Sequence, residues 1–200
     1  LLEWTKAVNM FKYNSNAQPL VELLGKNDIN DDVAKIFTQF NSSLQLANMS
    51  SLWQFMRGAS KKIKKLTDSN NKIIKLLSSD LINMALRFDK AKQSDFQYEL
   101  AIWLHENKNY ALSYIALYEA VISKVCETKN YKLDDNKERE EAKKHVDHPY
   151  NQYFNTKYPE SLSIIRNSIV HQSNERKNFA TQDINKLAVF LEEFKSYFYD

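Results

Sequence analysis

"AIWLHENKNYALSYIALYEAVI", residues 101–122, decides the fold. On both sides of the polar tetrad "ENKN" at 106–109, apolar residues recur at helical spacing rather than in the alternation of a strand. Four polar residues leave room only for a tight connection, so a hairpin of two packed helices is predicted. The first helix is capped by Ser94 and turns Phe96, Leu100, Trp103 and Leu104 inward. The second, Ala111 to Cys126, meets it through Ile115, Ile122 and Val125.

The same period runs outward to both ends. Leu1, Trp4, Val8 and Phe11 form one face of a first helix that stops in "NSNAQ". Pro19 suits the first turn of a short second helix closed by Gly25, and Asn30 or Asp31 can cap a third carrying Val33, Ile36, Phe37, Phe40 and Leu44. One helix is expected from Leu52 to Leu66, and another through Ile73, Ile74, Leu77, Leu81, Met84, Ala85 and Phe88. A last amphipathic helix, Thr181 to Tyr199, has the stripe Ile184, Leu187, Leu191, Phe194 and Phe198. Segment 129–150 is the most charged and least apolar part, which reads as an exposed insertion. A weak break at "DKAKQS", 89–94, divides an N-terminal helical region (1–90) from a core (91–200) within one continuous helical unit. The fold class is all-α.

Composition excludes several functions. Two glycines and three prolines in 200 residues, with no G-x-G pattern, argue against a dinucleotide-binding or sheet-rich fold. Cys126 is the lone cysteine, so no internal disulfide or Cys-based zinc site can form, and a reducing, cytoplasmic setting is expected. The opening "LLEWTKAVNMFKY" has no unbroken apolar region and is not a signal peptide, and no apolar run is long enough to span a membrane. The missing initiator methionine and the helix-like start point to one part of a longer parent chain. The net charge of +3 is concentrated locally in "KKIKK" at 61–65 with Lys72 and Lys75, which is either a contact for a polyanion or a solvated helix face.

Metal and nucleophile chemistry are poorly provided for. His145 and His148 stand near Glu140 and Glu141 in the charged segment, but Pro149 and the polar surroundings favour a solvated loop, so no metal site is expected. His105, beside Glu106, fits a helix-end dipole contact. No serine–base–acid set and no phosphate loop is present.

The exception is "SLSIIRNSIVHQSNERKN", 161–178. At about 100° per residue, with Leu162 at zero, Ile165 and Ile169 fall at roughly 300° and 340° and Val170 at roughly 80°. Arg166 lies at about 40°, inside that apolar arc, while Asn167 and His171 share a neighbouring side at about 140° and 180°. An arginine cannot shed its charge, so it must meet an acid such as Glu119, a second subunit or a bound anion. In the first case it is a structural ion pair and His171 an ordinary helix-end residue. In the last, Arg166 supplies fixed donors to phosphate oxygens, His171 exchanges a proton near neutrality, and Asn167 holds the imidazole or a phosphate oxygen. These groups suffice to cleave RNA without metal, through attack by the ribose 2′-hydroxyl. One histidine cannot serve as both acid and base in one protomer, so a two-fold dimer would complete the set. Arg176 and Lys177, in the polar stretch that follows, are candidate RNA contacts.

"RNSIVH" resembles the arginine–polar–(spacer)–histidine signature of HEPN ribonucleases. The stretch 101–122 resembles the helix pair preceding that motif in CRISPR-associated HEPN ribonucleases of type III systems, and "LLEWTKAVNMFKYNSNAQPLVELL" looks like the start of their helical region. The resemblance implies a HEPN-type helical bundle with additional N-terminal helices, acting as a homodimeric, metal-independent endoribonuclease on single-stranded RNA in antiviral defence. It makes Arg166 and His171 catalytic and Asn167 their assistant, with no cofactor. In such proteins cyclic oligoadenylate acts through a CARF domain, which nothing in this chain resembles. Tyr118 departs from the pattern, because a basic residue is expected before Glu119 in many relatives. The other roles open to this fold are a dimerisation or RNA-binding module without turnover, and the toxin of a toxin–antitoxin pair.

Overall fold

A computed structural model describes residues 1–26, 31–68, 72–158, 160–171 and 181–199. Every regular element among them is helical, so the chain is all-α. It divides into two compact units, one of Leu1–Ala91 with Glu106–Lys108, the other of Lys92–His105 with Asn109–Asp200.

The first unit contains α1 (Leu2–Asn14), α2 (Gln18–Lys26), α3 (Asp31–Gln45), α4 (Met49–Met56), α5 (Ala59–Lys64) and α6 (Lys72–Phe88). Its core is largely aliphatic with a cluster of aromatic rings at its centre. Phe11 meets Phe37 and Phe40 edge-on at 5.2 and 5.3 Å, and Phe40 reaches Phe88 at 6.0 Å. Truncating the fully buried Phe40 to alanine is expected to cost about 3–5 kcal/mol, read as a loss in denaturant midpoint. A cost below about 1 kcal/mol would mean that the neighbours collapse into the space.

Two expectations for this unit are corrected. The helix read over 52–66 is broken at Gly58, whose φ of +76° is left-handed backbone that a glycine adopts freely. Asp89 fixes the break: its carboxylate accepts from the Gly58 amide (2.9 Å) and the Ser60 hydroxyl (2.5 Å), satisfying donors at the start of α5. Gly25 does not close α2, which continues to Lys26. The cap proposed at Asn30 lies outside the described residues, and Asp31 is already helical. Lys61, Lys62, Lys64 and Lys65 are exposed around the buried Ile63, as on a solvated helix face.

The second unit is built from α7 (Gln93–Glu106, through His105), α8 (Tyr110–Lys129), α9 (Asn136–Ala142), α10 (Asn151–Phe154), α11 (Leu162–His171), α12 (Thr181–Glu193) and α13 (Lys195–Tyr199). The tight turn of the hairpin is present. Lys108 takes a φ of +60° and the Asn109 amide returns to the Leu104 carbonyl at 2.8 Å. Ser94 is not the capping acceptor expected of it. Its amide and hydroxyl both donate to Glu127 of α8 (3.0 and 2.5 Å), which puts a carboxylate at the positive end of α7. The C-terminal helix is two: α12 and α13 part at Phe194, and the buried stripe is Leu187, Phe190, Leu191, Phe194 and Phe198, with Ile184 exposed.

Burial, reinforced by Tyr199 and Glu192, pushes the Tyr98 phenol above its usual range, where it donates to the Leu191 carbonyl at 2.5 Å. Burial and then Asp147 do the same for Tyr197. Raised folded pKa values favour the neutral phenols, so this contribution is complete below about pH 10 and is lost as pH rises toward the folded values. The denaturation midpoint of the second unit should therefore fall above about pH 10. Tyr98→Phe should cost about 1 kcal/mol at neutral pH and flatten that alkaline decline. An unchanged decline in Tyr98→Phe would remove Tyr98 from its cause.

Segment 129–150 is largely exposed, as expected, but it is tied to the second unit through α9. Asp135 caps α9 by accepting from the Lys137 and Glu138 amides, and Ala142 and Val146 are buried as α9 packs on α8. That docking positions the site.

Candidate functional site

Helix α11 presents Leu162, Ser163, Ile165 and Ser168 to the interior. Both of its buried serines are satisfied: Ser163 donates to the Phe154 carbonyl of α10, and Ser168 donates locally to the Ile164 carbonyl. Val170 is exposed, so the apolar arc is shorter than the sequence implied and ends before the last turn. Arg166 remains within it, with 22% of its side chain exposed.

Three groups surround that guanidinium. Its carbon lies 4.8 Å from the centroid of the Tyr118 ring, which is itself stacked on Phe154 at 5.2 Å. Its Nη1 donates to Asn167 Oδ1 at 3.2 Å, and its Nη2 stands 3.8 Å from Glu119 Oε1. Nε is buried and has no hydrogen-bond partner among the described residues. Glu119 is engaged more closely elsewhere, because Arg139 of α9 donates from Nη2 to Glu119 Oε2. Arg139 is anchored in turn by Nη1 on the Leu133 carbonyl at 3.2 Å. The expected Arg166–Glu119 pair is therefore present but loose, and the tight partner of Glu119 is an arginine from the charged segment.

Two adjoining cavities open here. The smaller, about 200 Å³, is bounded by Glu119, Arg139, Lys143 and Arg166; the larger, about 400 Å³, by Lys143, Lys144, Asn155, Thr156 and Asn167. Tyr118, Glu140 and Lys143 border both. Burial lowers the Lys143 pKa, but the Glu140 hydrogen bond and Tyr118 outweigh it and raise the net value, so this ammonium is charged at neutral pH. Glu140 is mostly exposed and holds it weakly. Three cations thus face two carboxylates around the smaller cavity.

Arg166 and Asn167 are brought together with Tyr118 and Glu119, as a site requires. His171 is not. It is exposed in the last turn of α11 and lines neither cavity. Arg176 and Lys177 lie outside the described residues. Sequence reading missed Arg139, Lys143 and Lys144. The signal available was the "KEREEAKK" run, 137–144, whose lysines at 143 and 144 and arginine at 139 recur on successive turns. No basic residue precedes Glu119; Arg139 of α9 lies beside it, and the Tyr118 ring lies against the Arg166 guanidinium.

His145 Nε2 is 3.2 Å from Glu141, His148 is exposed, and no group of three His, Cys, Asp or Glu side chains suited to a metal occurs among the described residues. Burial raises the pKa of the Cys126 thiol, the mark of an inert packing residue. His105 packs edge-on to Tyr110 at 5.6 Å. Among the described residues no helix is long and apolar enough to cross a membrane.

Residues 1–98 match the family model described as CRISPR-associated protein MJ1674, second domain. The similarity to a CRISPR-associated family thus covers 98 of the 200 residues. It spans the first unit and the start of α7 and stops short of α8, α9 and α11, which form the site. No curated protein matches the chain.

Proposed function

We propose that this chain is a HEPN-type, metal-independent endoribonuclease domain that cuts single-stranded RNA in a CRISPR-associated antiviral system of type III, working in the cytoplasm as a homodimer. The observation that carries the reading is the condition of Arg166. A part-buried guanidinium whose Nε has no partner and whose nearest carboxylate is 3.8 Å away, both among the described residues, has donors to offer an anion. A phosphodiester supplies oxygens at the spacing those donors need.

In the reaction, the ribose 2′-oxygen attacks phosphorus as its proton leaves, and the bond from phosphorus to the 5′-oxygen breaks as that oxygen takes up a proton. The products are a 2′,3′-cyclic phosphate and a 5′-hydroxyl. Arg166 stabilises the charge added to the phosphoryl oxygens, Asn167 fixes Arg166 through its Oδ1, and His171 transfers the proton. Five residues of helix turn through roughly 500°, so His171 and Arg166 leave α11 about 140° apart. A second copy, bringing its own Arg166 and His171, is what would close the site.

The exposed position of His171, away from both cavities, also favours a second reading, a HEPN dimerisation or RNA-binding module without turnover. Incubating a labelled single-stranded RNA with the chain in the presence of chelator separates the two. Cleavage with a cyclic-phosphate end supports the nuclease; binding without cleavage at dimer-forming concentrations supports the module.

A further inference from the structure

We infer that Arg139 is a positioning residue: by occupying Glu119 it keeps Arg166 free for the RNA phosphate. This rests on the reading of Arg166 as the phosphate-binding side chain. Glu119 stands between two guanidiniums and cannot serve both equally. Its Oε2 accepts from Arg139, while its Oε1 lies 3.8 Å from Arg166, beyond hydrogen-bond length. The three side chains are similarly buried, with 18–22% exposure, so solvation does not decide the split. Anchoring does. Arg139 has a second hold on the Leu133 carbonyl, and α9 is clasped by its Asp135 cap and by the Glu138 carboxylate on the Lys132 amide. Arg166 instead rests on the Tyr118 ring and on Asn167, neither of which cancels its charge.

Take Arg139 away, and the loose contact with Arg166 at 3.8 Å is what Glu119 keeps among the described residues. A part-buried carboxylate left unpaired is costly, and Arg166 is the cation within reach. Closing 3.8 Å to a two-point ion pair would use the same Nη donors that a phosphate needs. Arg139 then acts through Glu119, without touching RNA. The charged arm 129–150 sets how available the cation on α11 is.

The test is a mutant cycle on the 200-residue chain, with Arg139→Ala, Glu119→Gln and the two combined. Binding of a 2′-O-methyl single-stranded RNA, which lacks the attacking hydroxyl, is followed by fluorescence anisotropy over a salt series. Arg139→Ala is expected to weaken binding about tenfold, equal to about 1.4 kcal/mol. In the Glu119→Gln background the same change should cost less than about twofold, because no carboxylate remains to capture Arg166. The slope of log affinity against log salt should drop in Arg139→Ala and recover in the double variant, as one phosphate contact is lost and regained. An equal loss in both backgrounds overturns the inference, since Arg139 would then bind RNA itself or merely brace α9. If the double variant regains binding only in step with its thermal midpoint, the effect is structural and the inference also fails. Because binding is read without cleavage, the cycle stands apart from the nuclease reading, which fails instead if the wild-type chain binds cleavable RNA and never cuts it.

Discussion

Replacing Arg166 with alanine is expected to slow cleavage of single-stranded RNA by about 10²–10³-fold, the usual loss when a donor to a developing charge is removed. The fold should lose far less than it would from a stranded buried charge. In most structural ion pairs, deleting one partner strands the other as an unpaired buried charge, and the stability loss obscures any catalytic effect. Here Glu119 keeps Arg139, so no charge is stranded. What is lost is the cation–π contact with Tyr118, about 0.5–2 kcal/mol. Rate and thermal midpoint should therefore separate widely in this one variant. Arg166→Lys should fall between wild type and alanine, because an ammonium keeps the charge but not the planar pair of donors. A midpoint that collapses together with activity, or a cleavage rate unmoved by alanine, would assign Arg166 to structure alone.

The fold was legible because burial in a helical protein writes itself into spacing. The stripe through Ile74, Leu77, Leu81, Met84 and Phe88 follows directly from period, since each of these residues serves one face. The hairpin helices at 101–122, by contrast, are buried on most of their faces, and Ile115 is only half-buried. Where the period was interrupted by geometry rather than polarity, it misled. Gly58 breaks a continuous apolar pattern because Asp89, thirty-one residues away, accepts its amide, and no local spacing records such a partner. Ser94 failed for the same reason, its acceptor being Glu127 on the next helix.

The site shows the limit more sharply. Arg166 was conspicuous because a cation in an apolar arc violates a local rule, and Asn167 could be placed beside it by angle alone. Arg139 and Lys143 violate nothing. In a run as charged as 137–144 they look like solvation, and only the docking of Ala142 and Val146 reveals that their helix lies against α8. Charge needed at a site is invisible in sequence when it is delivered by a segment whose few buried residues are small.

His171→Ala supplies the complementary result. It is expected to lower the cleavage rate by about 10²–10⁴-fold, the usual worth of a positioned proton-transfer group. Because the side chain is exposed, stability should stay within about 0.5 kcal/mol of wild type. RNA affinity should also survive, in contrast to Arg166→Ala, because the imidazole lines neither cavity and supplies protons rather than anchorage. Chelator should leave the wild-type rate unchanged; a rate abolished by chelator would transfer the chemistry to a metal. On the proposed reading, the separation of about 140° between Arg166 and His171 on α11 adds a concentration dependence, since the two groups would meet across two copies. Specific activity should fall on dilution through the dimer dissociation constant, and Val170, exposed beside His171, marks the turn where contact between copies is expected. Activity per chain that stays constant into a range where light scattering reports monomer would place the proton donor and the arginine in one copy. The long arginine side chain would then have to bend around α11 toward His171, away from Tyr118 and Asn167, which now hold it.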